Sequence, residues 1–529
     1  MKETNFQSVT KRTNHRSTRA QVFTRYLKVV FSLVLVLLSA APVAAKDANH
    51  LKIKNATVKI FTVVNPADYA NPWNMLGTGS LAGSGCVIRG KKIITNAHVI
   101  SDHTFIQVRR FGESKKYSAR LIAVSHEADL ALLTVDDPAF FKGITPLELG
   151  GLPQVQQDVV VYGYPYGGDT LSTTKGVISR VEHQVYTHSM ISLLAAQIDA
   201  AINPGSSGGP VIIGDKVVGV VMEMVGSMQN IGYMVPVPVI NHFLNDLKDG
   251  KCDGFPEDGI VCQAMENEAM RRMYHMKKGQ TGVLTFRVAP GSPGYGRIFK
   301  GDVVLKIDGH EVANDATVEF RPQERTNMNY YTEMHQIGES ETLTVLRRGK
   351  VMDVAIPLTD RVGTNQLVPL EQYDRRPTYY LFGGLIFAPL TVNYLQNWGD
   401  GWMDAAPANL VNTYLYEPLK KEGEEAVILM RVLPHEVNRG YHGSGNFRVM
   451  TVNGKKVMSL KELISIIENS KDEFLVIGDR WGTVIVLDRE KARKATAKIM
   501  RVYQVPQDRS SDLRPGAESA ALSPGSRTN

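Results

Sequence analysis

A serine stands among glycines in the segment Asn203-Pro-Gly-Ser-Ser-Gly-Gly-Pro210. The glycines allow a tight turn, in which the backbone N–H groups of Gly205 and Ser207 can converge on one point. Converging N–H groups stabilise the oxyanion that forms when a nucleophile attacks a carbonyl. A serine hydroxyl is a weak nucleophile unless a base removes its proton and a carboxylate orients that base. The segment therefore predicts a nucleophile whose partners lie elsewhere in the chain.

A histidine and an aspartate occur upstream in suitable surroundings. His98 follows an apolar run in Thr95-Asn-Ala-His-Val99, and Asp129 directly precedes the apolar run Leu130-Ala-Leu-Leu133. A carboxylate at the mouth of an apolar strand would be buried and would need a partner. The order His98, Asp129, Ser207 is that of one class of serine hydrolase. Neighbouring groups are interpreted as surface, loop or turn residues: His103, His126, His183, His188, Asp102, Asp136 and Asp137.

The elements that must position these residues are short apolar runs separated by Gly, Asn and Asp. From residue 51 to about residue 244 the runs have the composition of strands. A helical period of 3.6 is first found at Val239–Leu247. This texture predicts an all-β barrel or sandwich for the first half of the chain.

The second half contains two diverged copies of a small α/β module. Lys300–Val312 has the pattern strand, Asp-Gly turn, strand, and Val449–Val457 has the same pattern with Asn-Gly at the turn. A glycine-led apolar strand precedes each copy, in Asp258–Val261 and in Gly383–Phe387. Because these features recur in the same order, they predict an internal repeat. Residues 360–378 are interpreted as the linker between the two modules.

Together these motifs resemble those of the HtrA/DegP family of serine proteases, in which a trypsin-like domain precedes PDZ modules. The resemblance extends over about residues 52–505. It implies a mainly β fold class, a chymotrypsin-like double β-barrel protease domain followed by two α/β PDZ domains. The implied divisions are a protease domain at 52–248, PDZ domain 1 at 255–360, a PDZ-like domain 2 at 379–503 and a disordered tail at 506–529.

The resemblance assigns expected roles to the residues introduced above. By motif position Ser207 is the expected nucleophile, His98 the general base and acid, and Asp129 the orienting carboxylate. Gly205, Ser206 and Ser207 are the expected oxyanion-hole residues. The family usually has Asn where this chain has Ser206, but only the backbone of that position is needed.

Two binding regions are expected from the same resemblance. Asn230–Pro236 resembles the loop that closes the primary specificity pocket, with Met224, Ile231 and Gly232 near its walls, although Met224 could equally belong to the core. Apolar walls of this size favour small aliphatic side chains before the cleaved bond.

In PDZ domain 1 the expected peptide-binding loop contains Asp258, Gly259 and Ile260. The loop is acidic where a C-terminal carboxylate would dock, which argues against ordinary C-terminal recognition there. The insertion Thr317–Ser340 is similar to the plant-type Deg branch. The second module lacks a counterpart of Lys300-Gly301-Asp302, which favours a role in assembly.

The charge of the chain is concentrated at its start. The 529 residues carry a formal charge of +7, which taken alone would suggest an anionic partner. Residues 1–45 contain seven Lys or Arg against one Glu, so the remainder is close to neutral and a nucleic-acid partner is not expected. An apolar run of about 13 residues and a small-residue site follow, the pattern of a cleaved signal peptide at 1–45. The alternatives are an organelle-targeting extension or a membrane anchor through 29–45, although the run is shorter than the ~20 residues of a spanning helix.

The three cysteines, Cys86, Cys252 and Cys262, have no zinc-ligand spacing, so no metal site is expected. Cys252 and Cys262 form either a disulfide or two free thiols. No organic cofactor is implied.

These observations lead to one functional expectation and one alternative. The first is an exported, ATP-independent serine endopeptidase that degrades unfolded or damaged proteins in protein quality control and the stress response. The alternative is a peptide-binding chaperone whose protease site is resting or inactive. Family resemblance implies a homotrimer or larger homo-oligomer with unfolded polypeptides as partners. The expected location is the periplasm, with no stable membrane anchor after cleavage. The alternatives are an organellar lumen or a membrane anchor through 29–45.

Overall fold

The computed structural model describes residues 48–166, 168–222 and 232–514. The predicted leader at 1–45 lies outside these ranges. Residues 48–56 form a first helix, α1. Within the described ranges, no helix has both the length and the apolar composition needed to cross a membrane.

Six antiparallel strands close into a first barrel with the order β1-β2-β3-β6-β5-β4. All five residues of β6 are buried, whereas β5 alternates in part between buried and more exposed positions. Ile60, Ile94, Val108 and Leu132 are among the side chains that fill the interior. The strands are β1 Thr57–Val64, β2 Gly79–Ile88, β3 Lys92–Thr95, β4 His103–Arg110, β5 Lys116–Ser125 and β6 Leu130–Thr134.

A second barrel closes through the pairing of β11 with β12, and the short strand β7 joins its rim in parallel with β12. Its elements are β7 Glu148–Leu149, β8 Asp158–Gly163, β9 Ser172–Val185, β10 Ser192–Ile198, β11 Pro210–Ile213, β12 Lys216–Met222 and β13 Gly232–Pro236. A 3₁₀ turn at Pro138–Phe141 connects the barrels, and helix α2 at Val237–Asp246 follows the second, where the sequence predicts the first helical period. The two barrels confirm the chymotrypsin-like part of the predicted fold class.

The next elements form an α/β module around the sheet β15-β16-β17-β21-β22, with β18 beside β17. The predicted insertion folds as the separate hairpin β19–β20 followed by a short helix. The elements are β14 Pro256–Glu257, β15 Ile260–Gln263, α3 Glu268–Met273, β16 Val283–Val288, β17 Val303–Ile307, β18 His310–Glu311, β19 Thr317–Arg321, β20 Glu324–Asn327, α4 Tyr330–Met334, β21 Ser340–Arg347, β22 Lys350–Pro357 and β23 Asp360–Arg361.

The last module has two four-stranded sheets, β24-β25-β26-β27 and β29-β28-β30-β31. Its strands are β24 Tyr380–Phe382, β25 Leu385–Pro389, β26 Val427–Val432, β27 Gly445–Arg448, β28 Thr451–Val452, β29 Lys455–Lys456, β30 Phe474–Gly478 and β31 Val484–Asp488. Its helices are α5 Val392–Leu395, α6 Trp402–Ala405, α7 Ala408–Tyr416, α8 Leu460–Asn469 and α9 Arg489–Val502. The strand–turn–strand motif of the predicted repeat is present in both modules, as β17–β18 and as β28–β29.

The end of the described chain differs from the disordered tail expected from residue 506. The Leu381 N–H donates to the Asp508 carbonyl at 2.7 Å, and the Ser510 N–H donates to the Tyr379 carbonyl at 3.1 Å. This segment thus pairs with the free edge of β24, and Arg509 lies over the Tyr380 ring. Composition does not reveal the pairing, because backbone groups of the edge strand supply it. Residues 515–529 lie outside the described ranges.

Cys252 and Cys262 are free thiols and do not form a disulfide. The Cys252 thiol donates to the Val124 carbonyl at 3.4 Å. Cys262 lies on β15, 4.0 Å from the Thr285 hydroxyl. Cys86 is buried in the first barrel.

One buried serine connects the first barrel to the turn that carries Ser207. Ser84 on β2 donates its hydroxyl to the Gly205 carbonyl at 2.8 Å and accepts from the Tyr164 N–H at 2.8 Å. The Ser84 N–H also donates to the Ser207 carbonyl at 2.8 Å. Since Ser84 is fully buried, no water can take over these bonds if the hydroxyl is removed.

We therefore expect Ser84→Ala to destabilise the barrels, with a cost of roughly 1–3 kcal/mol for each buried group left without a partner. Differential scanning calorimetry of the full-length chain should show a lower Tm for the barrel transition. Ser80→Ala, an exposed position on the same strand, is the matched control and should leave Tm unchanged. Equal Tm values for both variants would contradict the structural role of Ser84.

Candidate active site

His98 and Asp129 come together because β3 and β6 are antiparallel neighbours. In their register Thr95 faces Ala131, so the segment after β3 and the residue before β6 lie at the same end of the barrel. The Asp129 carboxylate accepts from the His98 backbone N–H at 2.9 Å and contacts His98 Nδ1 at 2.8 Å. A carboxylate is an acceptor only, so Nδ1 carries a proton and Nε2 of the neutral ring is the basic nitrogen.

The Asp129 carboxylate is almost completely buried, with a side-chain exposure of 3%. Its backbone is in the left-handed region, at φ 50°, and its carbonyl accepts from the Asn96 side-chain amide at 2.8 Å. Burial alone would raise the pKa of Asp129, but the facing His98 and its hydrogen bonds outweigh burial and hold that pKa below its ordinary value. The carboxylate is therefore ionised at neutral pH and orients the imidazole.

Two glycines in the turn that carries Ser207 are packed tightly against neighbouring backbone. Gly205 and Gly208 have φ angles of +92° and +84°, in the region that favours glycine. A Cβ on Gly208 would lie 2.1 Å from the Ser84 carbonyl oxygen, and a Cβ on Gly205 would lie 2.6 Å from the Tyr164 carbonyl oxygen. These contacts explain why both positions require glycine.

The N–H groups of this turn divide into bonded and available ones. The Ser206 N–H donates to the Asn203 carbonyl at 3.0 Å, which closes the turn. Within residues 48–166, 168–222 and 232–514, no backbone carbonyl accepts from the N–H of Gly205 or Ser207. Among the described residues, the N–H groups of Gly205 and Ser207 thus have no backbone acceptor, whereas the Ser206 N–H is bonded within the turn.

Of the expected pocket residues, only Gly232 lies within the described ranges; Met224 and Ile231 lie outside them. Gly232 begins β13 and faces Ile198 on β10. A Cβ at Gly232 would lie 2.2 Å from Cδ1 of Ile202, so any side chain there would displace the neighbouring apolar group. Among the described residues, Gly232 is thus closely packed against isoleucines.

In the expected peptide-binding loop of the first module, a backbone N–H of the loop already binds a side-chain carboxylate of the same loop. Asp258 Oδ1 accepts from the Ile260 N–H at 2.8 Å, and Gly259 has a φ of +72°. Burial raises the pKa of Asp258 to about 6 and, nearby, the pKa of Glu341 to about 9. The Ile260 N–H is therefore already engaged by an internal carboxylate, as the acidic composition of the loop suggests.

Three histidines interpreted as surface or loop residues have structural partners far away in the chain. His183 Nε2 contacts Glu333 at 2.8 Å, and its Nδ1 contacts the Thr326 hydroxyl at 2.7 Å. His126 and His188 contact each other beside His98. For His183 the interpretation as a surface or loop residue is wrong, because it lies on β9 and is covered by the first module. His126 and His188 do lie in loops, but each also contacts a side chain from residues 373–374, which no local sequence pattern indicates.

Two family models match separate parts of the chain. The trypsin-like peptidase domain matches residues 83–220, which include His98, Asp129 and Ser207, and the PDZ domain matches residues 368–512. The second match includes residues 508–510, which pair with β24.

Similar proteins cover most of the chain, and a similar solved structure covers more than half of it. Protease Do-like 4, mitochondrial, of Arabidopsis thaliana is 40% identical over 469 residues, which are 88% of this chain and 87% of that protein. Protease Do-like 2, chloroplastic, of the same organism is 36% identical over 476 residues, 89% of this chain and 77% of that protein. The solved structure of the HtrA-type protease AlgW with tripeptide is 24% identical with a TM-score of 0.47, and covers 59% of this chain and 96% of that chain.

Extensive identity to Do-like proteases, together with the double barrel, shows that this chain is a serine endopeptidase of the HtrA/DegP family with features of the plant-type Deg branch.

Proposed function

We propose that this endopeptidase degrades unfolded or damaged proteins without ATP, through Ser207, His98 and Asp129. The contact of one buried carboxylate with both the backbone and the ring of His98 carries this proposal. It leaves Nε2 of the imidazole as the base, and Ser207 is the residue that the family motif places opposite that base. The ordering of His98 by Asp129 supports a working protease over the alternative of a chaperone with an inactive site.

In the proposed reaction the Ser207 Oγ attacks the carbonyl carbon of the scissile peptide while His98 Nε2 takes the hydroxyl proton. The N–H groups of Gly205 and Ser207 donate to the resulting oxyanion, and Asp129 stabilises the imidazolium. His98 then gives the proton to the leaving amine, which breaks the C–N bond and leaves an acyl-enzyme. Water, deprotonated by the same imidazole, hydrolyses the ester and restores Ser207.

We expect Ser207→Ala to abolish degradation of casein, an unfolded model substrate, because the acyl-enzyme can no longer form. The rate should fall by at least about a thousandfold, as for removal of a triad nucleophile. Gel-based degradation assays without ATP check this, and Ser80→Ala should retain the full rate. If Ser207→Ala were as active as the unchanged protein, the proposed mechanism would be wrong; if neither form cleaved casein but both prevented its aggregation, the chaperone would be the better function.

The proposed assembly is a homotrimer, with larger cages in the presence of substrate. Members of the family are typically oligomeric, which supports an oligomer of this chain as well. Light scattering coupled to size-exclusion chromatography should give three times the chain mass, 58.4 kDa, for the full-length Ser207→Ala protein without substrate. Added casein should increase the mass. A monomer under both conditions would contradict the proposal.

Residues 1–45 are proposed to direct export, and the names of the relatives favour an organelle over the periplasm. The basic, acid-poor composition of the segment supports the same destination. A fusion of these residues to a fluorescent protein should be imported by isolated mitochondria or chloroplasts and shortened by cleavage. Replacement of the seven Lys and Arg residues by Gln should prevent import. Secretion of the unaltered fusion to a bacterial periplasm, with no organellar import, would reverse the assignment.

A further inference from the structure

The linker between the two modules reaches the side of the first barrel that holds Asp129. Tyr373 in this linker stacks on the His188 ring, with centroids 3.9 Å apart, and its hydroxyl donates to the His188 carbonyl at 2.5 Å. His188 belongs to the loop between β9 and β10, and its ring centroid lies 6.1 Å from that of His98. A residue more than 270 positions after His98 is thus separated from it by a single imidazole.

A second linker residue, Asp374, is bound to the same barrel by a reciprocal pair of hydrogen bonds. The Asp102 N–H donates to the Asp374 carboxylate at 2.8 Å, and the Asp374 N–H donates to the Asp102 carboxylate at 2.9 Å. Both residues have left-handed backbones, at φ 53° and 59°, a conformation that aspartate tolerates better than most residues. The paired turns fix the linker to the segment that directly follows His98.

From Asp374 a chain of contacts leads back towards the site. Asp374 Oδ2 lies 3.0 Å from His126 Nε2, and His126 Nδ1 lies 3.0 Å from His188 Nε2. Because the carboxylate only accepts, His126 Nε2 donates to it, and Nδ1 of the neutral ring then accepts from His188 Nε2. The linker carboxylate therefore determines the tautomer of each imidazole, as Asp129 does for His98.

The charge of His188 also matters for the neighbouring base. Burial among the rings lowers the pKa of His188 to about 3, so its imidazole is neutral at physiological pH. A neutral ring leaves His98 as the group beside Asp129 that gains positive charge during proteolysis. A second cation at this distance would oppose that charge.

We propose that Tyr373 and Asp374 are positioning residues of the protease site, which hold the imidazoles of His126 and His188 against the pair His98–Asp129. The proposal rests on the proposed roles of His98 and Asp129. It gives the linker between the modules an effect on the rate of peptide cleavage. The linker acts through another side chain, since His188 stands between it and His98.

The first test compares kcat and KM of full-length variants on a short fluorogenic peptide. Tyr373→Ala and Asp374→Ala should lower kcat about tenfold, the effect of losing roughly one or two supporting hydrogen bonds, with KM within about twofold. Tyr373→Phe keeps the stacked ring and loses only the hydroxyl, so its kcat should lie between that of Tyr373→Ala and that of the unchanged protein. Reaction of Ser207 with a fluorophosphonate should slow in parallel.

The second test uses the pH profile of kcat/KM, which a merely structural role of the linker would not move. Asp374→Asn keeps an acceptor for the Asp102 N–H but removes a negative charge from the cluster, which also holds Asp102, Asp129, Glu371, His98, His126 and His188. The acid limb should move to lower pH, because His98 loses part of the negative field that favours its protonated form. Arg376→Ala, an exposed position in the same linker, should leave the limb in place.

The outcomes separate this proposal from the proposed function. Unchanged kcat in Tyr373→Ala and Asp374→Ala, while Ser207→Ala is inactive, would overturn the positioning role and leave the proposed mechanism standing. The positioning role would also be overturned if the alanine variants raised KM and left kcat unchanged. The same holds if the acid limb of kcat/KM did not move in Asp374→Asn, or moved equally in Arg376→Ala. An active Ser207→Ala would remove the proposed function together with this inference. If the alanine variants do not fold, Tyr373→Phe and Asp374→Asn still decide.

Discussion

The architecture around the site depends on one buried charge, the carboxylate of Asp129. A charged group with 3% exposure is costly unless its oxygens are paired, and both are occupied by His98. This requirement determines where the first barrel must place two chain segments. The pairing of β3 with β6 meets it, because each strand delivers its residue at the same end of the barrel. The apolar residues that follow Asp129 on β6 therefore belong to the core and also bury the carboxylate that orients His98.

The second requirement is that the turn from the second barrel must reach the first. Ser84 meets it with a single hydroxyl, which accepts from one segment of the second barrel and donates to another. Gly208 allows this approach, because any Cβ there would collide with the Ser84 carbonyl. The site is thus assembled at a contact between two barrels, and Ser84 and Gly208, which hold this contact, have no role in the proposed reaction itself.

Features that depend on residues close together in the sequence could be predicted from it, whereas features that depend on distant residues could not. Short apolar runs separated by Gly, Asn and Asp predict strands, because each strand buries its own apolar side chains. The barrel strands lie at these runs. The motifs around His98, Asp129 and Ser207 are local and were visible for the same reason. By contrast, His126, His183 and His188 each contact a side chain from the second half of the chain. Because these partners are far away in the sequence, the local pattern around each histidine predicted only a surface or loop residue. The pairing of residues 508–510 with β24 was hidden in the same way, since backbone groups form it.

These distant contacts share a location, which indicates what the second half of the chain does for the first. Glu127, two residues before Asp129, is paired with Arg361, and Ser189 donates its hydroxyl to the Glu127 carbonyl at 3.0 Å. His183 near the end of β9 is held by the first module, and the loop that follows this strand carries Ser189. The segment before Asp129 and the loop after β9 are therefore both restrained by residues that follow the barrels. Because a buried carboxylate tolerates little displacement from its partner, restraints on its two neighbouring segments act directly on the orientation of His98.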